Sequence, residues 1–330
     1  MGISPRPSAD WRETPDPGEA ERHAELAAQI TALQTSISER EGPGRAFHRQ
    51  QVAGLTGEFT VTAAKPELRH GLLSMGGTFE ALVRLSHGAM APHADAVPDI
   101  QGFALSVRGV DAPGALTQRT DRQDLLLINQ PSFGFPTSEE FGDVALAAAR
   151  GQLGLARHMI GTRGPVGGLT RLAKLSTTLA RPFTGFATTT FHSAAPTAFG
   201  PYAVKWRLVP DGAERGITGL TDHHRDIADR LRRGPLRWSV QVQFFVSDAV
   251  TPIEDMTSVW PESSSPWYEV ARLTVPSQDI DSAPGARVAE RIEHDRFDPW
   301  HAFAAHRPLG EVMRARKVAY WASVQDRGAD

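Results

Sequence analysis

Trp238-Ser239-Val240-Gln241-Val242-Gln243-Phe244 alternates apolar and polar residues without a break. Successive side chains of a β-strand point to opposite faces, so this spacing predicts one face in a core and one towards solvent. Comparable short segments lie outward from it, at 57–63, 79–86, 102–108 and 124–129, and again at 188–192, 202–209, 236–246 and 268–275. About eight such strands, joined by turns and loops, predict an antiparallel β-barrel with surrounding helices, an α+β fold.

Helical signals flank and interrupt the strands. Leu26, Ile30, Leu33 and Ile37 recur at helical spacing up to the breaker Gly42-Pro43-Gly44. Residues 18–42 are therefore expected as an N-terminal helical extension, after a Pro- and Asp-rich segment (1–17) expected to be flexible. Residues 43–330 form the main domain. Thr137-Ser138-Glu139-Glu140 has the form of a capping box opening a helix that runs to about Arg150. Asp222 to Arg233 reads as another, stopped by Gly234-Pro235.

Composition narrows the function classes. The 330 residues carry a net charge of -3, which gives no nucleic-acid signature. No apolar run reaches the roughly 18 residues of a membrane span, and the first twelve residues contain no secretory signal. A cytoplasmic protein is expected. With no cysteine, disulfides, thiolate-ligated haem and cysteine-ligated zinc or iron–sulfur sites are excluded. Between Val144 and Pro210 there is no acidic residue but eight basic ones: Arg150, Arg157, Arg163, Arg171, Lys174, Arg181, Lys205 and Arg207. This stretch is either a solvated basic face or an attractor for an anionic substrate or membrane surface.

Pro308-Leu309-Gly310-Glu311-Val312-Met313-Arg314-Ala315-Arg316-Lys317-Val318-Ala319-Tyr320 reads as a helix with Pro308 in its first turn. Arg316 and Tyr320 then share a face at i and i+4. A guanidinium beside a phenol favours the phenolate, a hard anionic ligand suited to ferric iron. Alone, this pair means little.

In chain order with it stand Arg45-Ala46-Phe47-His48-Arg49 ahead of a strand, Val83-Arg84-Leu85-Ser86, Val97-Pro98-Asp99-Ile100-Gln101-Gly102-Phe103-Ala104 and Leu127-Ile128-Asn129-Gln130-Pro131. Over roughly residues 45–327 the order and approximate spacing of these motifs resemble the haem catalase family, especially its shorter, catalase-related members. The resemblance implies a haem b cofactor with Tyr320 as the iron ligand and Arg316 as its partner. It makes His48 and Asn129 the distal catalytic pair and Ser86 the group that holds the imidazole. Arg45, Arg84 and Arg327 become the arginines for the haem propionates. His192 is more loosely matched to a histidine contacting Arg316.

The implied activity is a haem-dependent oxidoreductase, a peroxidase with some catalase activity. Its partners would be hydrogen peroxide or an organic hydroperoxide and a small reductant. The alternatives are a hydroperoxide isomerase or lyase acting on a lipid hydroperoxide and, less favoured, a non-catalytic haem carrier or sensor. The residues do not decide between a monomer and a homo-oligomer. Three departures stand out. Phe47 replaces a smaller aliphatic residue before the distal histidine. Gly310 stands where catalases usually have an acid, a place the adjacent Glu311 could fill. Only ten residues follow Tyr320, so a more open haem pocket is expected. Elsewhere, His87, His93, Asp95 and Asp99 form a loose loop cluster of no standard metal spacing, expected to be structural or channel-lining. His223, His224, His301 and His306 are expected at the surface, and Trp238, Trp260, Trp267 and Trp300 as core or interface aromatics.

Overall fold

The computed structural model describes residues 7–179, 182–212, 216–217 and 219–327. The strands are β1 (Gln51–Val61), β2 (Thr78–His87), β3 (Gln101–Ala112), β4 (Thr120–Ile128), β5 (Phe191–His192), β6 (Thr197–Phe199), β7 (Tyr202–Pro210), β8 (Leu236–Phe244) and β9 (Trp267–Val275). They pair in the order β5-β4-β3-β2-β1-β9-β8-β7-β6, and a further β5–β7 pairing closes the sheet. Eight strands thus form a closed antiparallel barrel, with β6 an added edge on β7. Closure leaves the ring no free edge.

The alternation of β8 holds: Trp238, Val240, Val242 and Phe244 are fully buried in the barrel interior beside Leu55, Phe59, Phe103 and Phe191. Each such side chain contributes roughly 1.5–3 kcal/mol by leaving water. The polar face, however, is not open to solvent as expected. Gln243 Nε2 donates to the carbonyls of Trp260 (3.1 Å) and Ser265 (2.7 Å), and Ser239 Oγ donates to Glu269 (2.7 Å). The loop between β8 and β9 folds back over this face, so its polar groups bond to protein.

The helices are α1 (Glu19–Glu41), α2 (Leu72–Met75), α3 (Ser138–Ala149), α4 (Gln152–Leu179), α5 (His223–Arg233), α6 (Ala283–His294) and α7 (Glu311–Arg327). Thr137 caps α3 by accepting from the Glu140 N–H (3.2 Å), and Asp222 caps α5 by accepting from Arg225 (2.8 Å). The helices α4 and α6 have no counterpart in the sequence reading. Five glycines and Pro165 disguise α4, which is interrupted where Gly164 adopts φ 71°. In α6, Pro284 occupies the first turn and Ser282 accepts from Gly285 (3.2 Å). Close packing of α6 on β1 needs Gly54, where an added Cβ would lie 2.8 Å from the Ala289 Cα.

The N-terminal part of the chain lies against α7. Leu26 and Ile30 of α1 cluster with Ala46 and Ala315, and Gln34 Nε2 donates to the Ser323 carbonyl (3.1 Å). Ahead of α1, Trp11 Nε1 donates to Pro201 (3.0 Å), and Arg314 forms ion pairs with Glu13 (2.8 Å), Glu19 (2.6 Å) and Glu254 (3.1 Å). The start of α7 differs from the expectation. Pro308 precedes the helix and bridges to Thr197, and the first helical residue is Glu311. Among the described residues no helix is long and apolar enough to cross a membrane.

Candidate functional site

Three neighbouring strands align one end of the barrel. Ser86 pairs with Gly102, which also pairs with Ile128, so Ser86 and Asn129 project from the same rim. Asn129 is fixed there by two bonds to Gln101. Its backbone N–H donates to the Gln101 carbonyl (3.1 Å), and its Oδ1 accepts from the Gln101 N–H (2.9 Å). With the amide oxygen engaged, Nδ2 is the end that can donate to a ligand.

His48 enters from the loop before β1 with φ 51°, a left-handed conformation that is unusual for a non-glycine residue. Its N–H donates to the Gly88 carbonyl (3.1 Å), and its Nδ1 lies 3.2 Å from Ser86 Oγ. Gly102 leaves room for this ring: an added Cβ there would stand 2.5 Å from His48 Nδ1 and 2.8 Å from Ser86 Oγ. Burial, and then the nearby Arg84, push the imidazole down to about 4, with Asp99 opposing. His48 is therefore neutral at pH 7. Arg316 and Arg45 act on it in the same direction, so α7 and the rim converge on this histidine.

Arg84 lies two residues before Ser86, on the same face of β2. It and Arg45 share one carboxylate, Glu293 of α6, at 2.9 Å and 2.5 Å. On α7, Arg316 Nη2 donates to the Tyr320 hydroxyl (2.6 Å), with the guanidinium 4.9 Å from the ring centroid. The i, i+4 reading of this pair holds. Arg327 lies on the same helix, but its side chain is outside the described residues.

Several expectations are corrected. Glu311 does not turn to Arg316; its carboxylate accepts from His23 Nε2 (2.8 Å) and from Ser138 N (2.9 Å) and Oγ (2.5 Å). Gly310 is glycine for a local reason: φ is 90°, and a Cβ would meet the Ile253 carbonyl at 2.7 Å. His192 is not the partner of Arg316, whose guanidinium bonds to Tyr320 and Met313. Instead it lines a cavity of about 180 Å³ with Lys205, Trp260 and Trp267. His223 and His306 are buried rather than at the surface, at 3% and 0% exposure.

Three residues of the basic stretch are matched by acids from elsewhere. Arg163 and Arg171 both pair with Glu140 (2.8 and 3.0 Å), Arg207 pairs with Glu262 (3.0 Å), and Lys205 is buried against the Ser258 carbonyl (2.9 Å). Arg181 and the Lys174 side chain lie outside the described residues. Arg150 and Arg157 are exposed.

One feature escaped the sequence reading. Phe47 packs at a tilt on Phe141 (5.1 Å between centroids), which meets Phe133 (5.3 Å) and Phe135 (5.5 Å). Phe47 also packs on Leu26, Ile30, Ala46 and Ala315, and Phe133 on Ala195, Met256, Val312 and Met313. The signal for this aromatic cluster was Pro131-Ser132-Phe133-Gly134-Phe135-Pro136, which follows Asn129-Gln130.

No protein-family model matches the sequence, and no curated protein matches it. Solved structures do. Catalase A from Saccharomyces cerevisiae superposes with a TM-score of 0.69 at 17% identity, over 89% of this chain and 63% of that one. A fungal catalase gives 0.66 at 16% identity (87% and 60%), and a bacterial catalase 0.66 at 17% (89% and 59%). The chain spans about three fifths of the length of these catalases. Closed barrel, helical surround and extent of superposition agree: this chain has the catalase fold.

Proposed function

We propose that the chain is a haem-dependent oxidoreductase acting on peroxides, a peroxidase with some catalase activity. The observation that carries this is the neutral His48, held through Nδ1 by Ser86 and through its backbone by Gly88, on the rim that also presents Asn129.

The donor set fits a haem. The Arg316–Tyr320 pair offers a phenol oxygen already bonded to a guanidinium. Arg45 and Arg84 together hold a carboxylate, Glu293, which is the chemistry a haem propionate presents. Haem b on Tyr320 would supply the redox chemistry. Arg45 and Arg84, with Arg327, would hold its carboxylates.

The chain's own residues handle the proton and the substrate. When Nδ1–H donates to Ser86 Oγ, Nε2 of His48 carries the lone pair and can take a proton from one peroxide oxygen and return it to the other. A histidine lowered to about 4 is ready for the first of these steps at neutral pH. The Asn129 amide donates to the peroxide and stabilises charge as the O–O bond lengthens. The partly buried rings of Phe47, Phe133, Phe135 and Phe141, close in sequence to His48 and Asn129, would offer apolar contact to an organic hydroperoxide. Those rings favour, as a second reading, an isomerase or lyase acting on a lipid hydroperoxide.

The test is reconstitution with ferric haem, followed by oxygen evolution, dye oxidation and fatty-acid hydroperoxide conversion on peroxide addition. Dye oxidation with some oxygen release is expected. Conversion of the lipid hydroperoxide without reductant would move the assignment to the second reading. Failure to take up haem would overturn both. His48→Ala should keep haem and lose roughly 10²–10⁴-fold in peroxide cleavage.

A further inference from the structure

The loop cluster left as structural by its spacing is brought together with a further histidine from α5. One ring nitrogen each of His87 and His93 and a carboxylate oxygen of Asp99 all lie within 4.8 Å of one another. The two rings are 4.8 Å apart, and the ring of His223 is 5.6 Å from that of His87.

The hydrogen-bond pattern assigns the protons. His93 Nδ1 faces the Ala94 carbonyl at 2.9 Å; a carbonyl only accepts, so Nδ1 carries the hydrogen. His93 Nε2 then faces Asp99 Oδ2 at 3.0 Å, and a cation must sit between this lone pair and the carboxylate, whether a proton or a metal. For His87, Nε2 donates to Asp95 Oδ1 (2.8 Å), which leaves Nδ1 with the lone pair. His87 is 0% exposed, and its Nδ1 is buried with no hydrogen-bond partner. His223, 3% exposed, likewise has a buried Nδ1 without a partner.

We propose that His87 Nδ1, His93 Nε2 and Asp99 Oδ2 bind one divalent first-row transition-metal ion of the zinc type. Each imidazole donates its other N–H outward, His87 to Asp95 and His93 to the Ala94 carbonyl, as metal-bound histidines do to fix tautomer and orientation. Ligands on bonds of about 2.1 Å stand roughly 3.0–3.4 Å apart around such an ion. The His93–Asp99 pair is already at 3.0 Å, and the widest spacing, at most 4.8 Å, closes by about 1.4 Å to complete the set. Two carboxylates and neutral imidazoles supply the charge that a divalent cation needs. The backbone N–H of His223 secures Asp95. Asp99 is aimed by the N–H groups of Ile100 (2.7 Å) and Ala89 (2.8 Å).

The position gives the ion a purpose. The loop it would tie together, between β2 and β3, carries Gly88, whose carbonyl accepts from the His48 N–H and whose N–H donates to Ile100 (2.7 Å). Metal binding would hold the loop that holds the distal histidine. The site stands or falls independently of haem binding, because its readout is the metal itself.

The experiment uses the full chain, stripped with chelator, titrated with zinc alone and dialysed. Retained metal is measured by atomic emission. One equivalent is expected, with affinity about 10–100-fold lower in His93→Gln and Asp99→Asn. Both positions are partly exposed, and far-UV circular dichroism checks that they fold. Cobalt substitution of the unaltered chain provides a second measurement: a ligand-field spectrum saturating at one equivalent is expected. No retained zinc and no such cobalt spectrum would overturn the proposal. Undiminished zinc binding by both folded variants would overturn it as well.

Discussion

Gly102→Ala is the sharpest single perturbation of the site proposed around His48. The methyl group would appear 2.5 Å from His48 Nδ1, 2.7 Å from Cε1 and 2.8 Å from Ser86 Oγ, about 0.9 Å inside ordinary contact at 3.4 Å for the closest atom. Gly102 is held on both sides by β2 and β4, so the strand cannot yield. The imidazole must move instead, by nearly an ångström, and the 3.2 Å contact with Ser86 is lost. A displacement of about 1 Å at a reacting group costs on the order of 10²-fold in rate. Overpacking adds roughly 1–3 kcal/mol of destabilisation. The assay is the initial rate of peroxide consumption per bound haem, with haem counted by its Soret absorbance. A drop of about 10²-fold at unchanged haem content is expected. A folded Gly102→Ala chain working within threefold of the original would refute the reasoning that Ser86 and Gly102 position His48.

Tyr320→Phe removes the hydroxyl that accepts from Arg316 and should abolish stable ferric haem ligation; an unchanged haem spectrum would sink the assignment of Tyr320. Glu293→Gln removes the carboxylate shared by Arg45 and Arg84 and should destabilise the haem-free chain by at most about 3 kcal/mol. Haem should then restore more stability to this variant than to the original, and equal gains in thermal midpoint would count against Arg45 and Arg84 as propionate ligands. His48 and His306 are both pushed down to about 4, chiefly by burial. Their lowered values mean that the unfolded chain binds protons first as pH falls below about 6.5, so stability is full above that pH and lost towards 4. Urea midpoints should fall between pH 7 and pH 5, at up to about 1.4 kcal/mol per pH unit for each group, and constant midpoints would contradict their burial in neutral form.

Local rules were legible wherever backbone and side chain answer to the same short period. The β8 alternation identified its buried face, Leu26, Ile30 and Ile37 located the buried stripe of α1, and Thr137 and Asp222 marked helix starts by capping. The helix α4 was hidden because its glycines and Pro165 read as breakers, whereas tertiary packing carries it through a kink at Gly164. The basic stretch was left open between a solvated face and an anion attractor for a related reason. Charge balance was read along the chain, but Arg163 and Arg171 find Glu140 across space, from a helix that precedes them.

By itself the sequence determined the strand periodicity, the order of motifs and the single pair whose geometry is local, Arg316 and Tyr320, because four residues on a helix set their separation. Only tertiary structure decided the rest of the site. His48, Ser86, Gly102 and Asn129 meet because antiparallel register aligns β2, β3 and β4 at one rim, and register is a property of pairs of strands. Barrel closure through β5 and β7 and the burial of His223 and His306 depend equally on distant partners. So does the facing of His87 and His93 on Asp99. No residue's own neighbours in sequence encode such contacts, since side-chain proximity across strands is set by how the whole sheet closes.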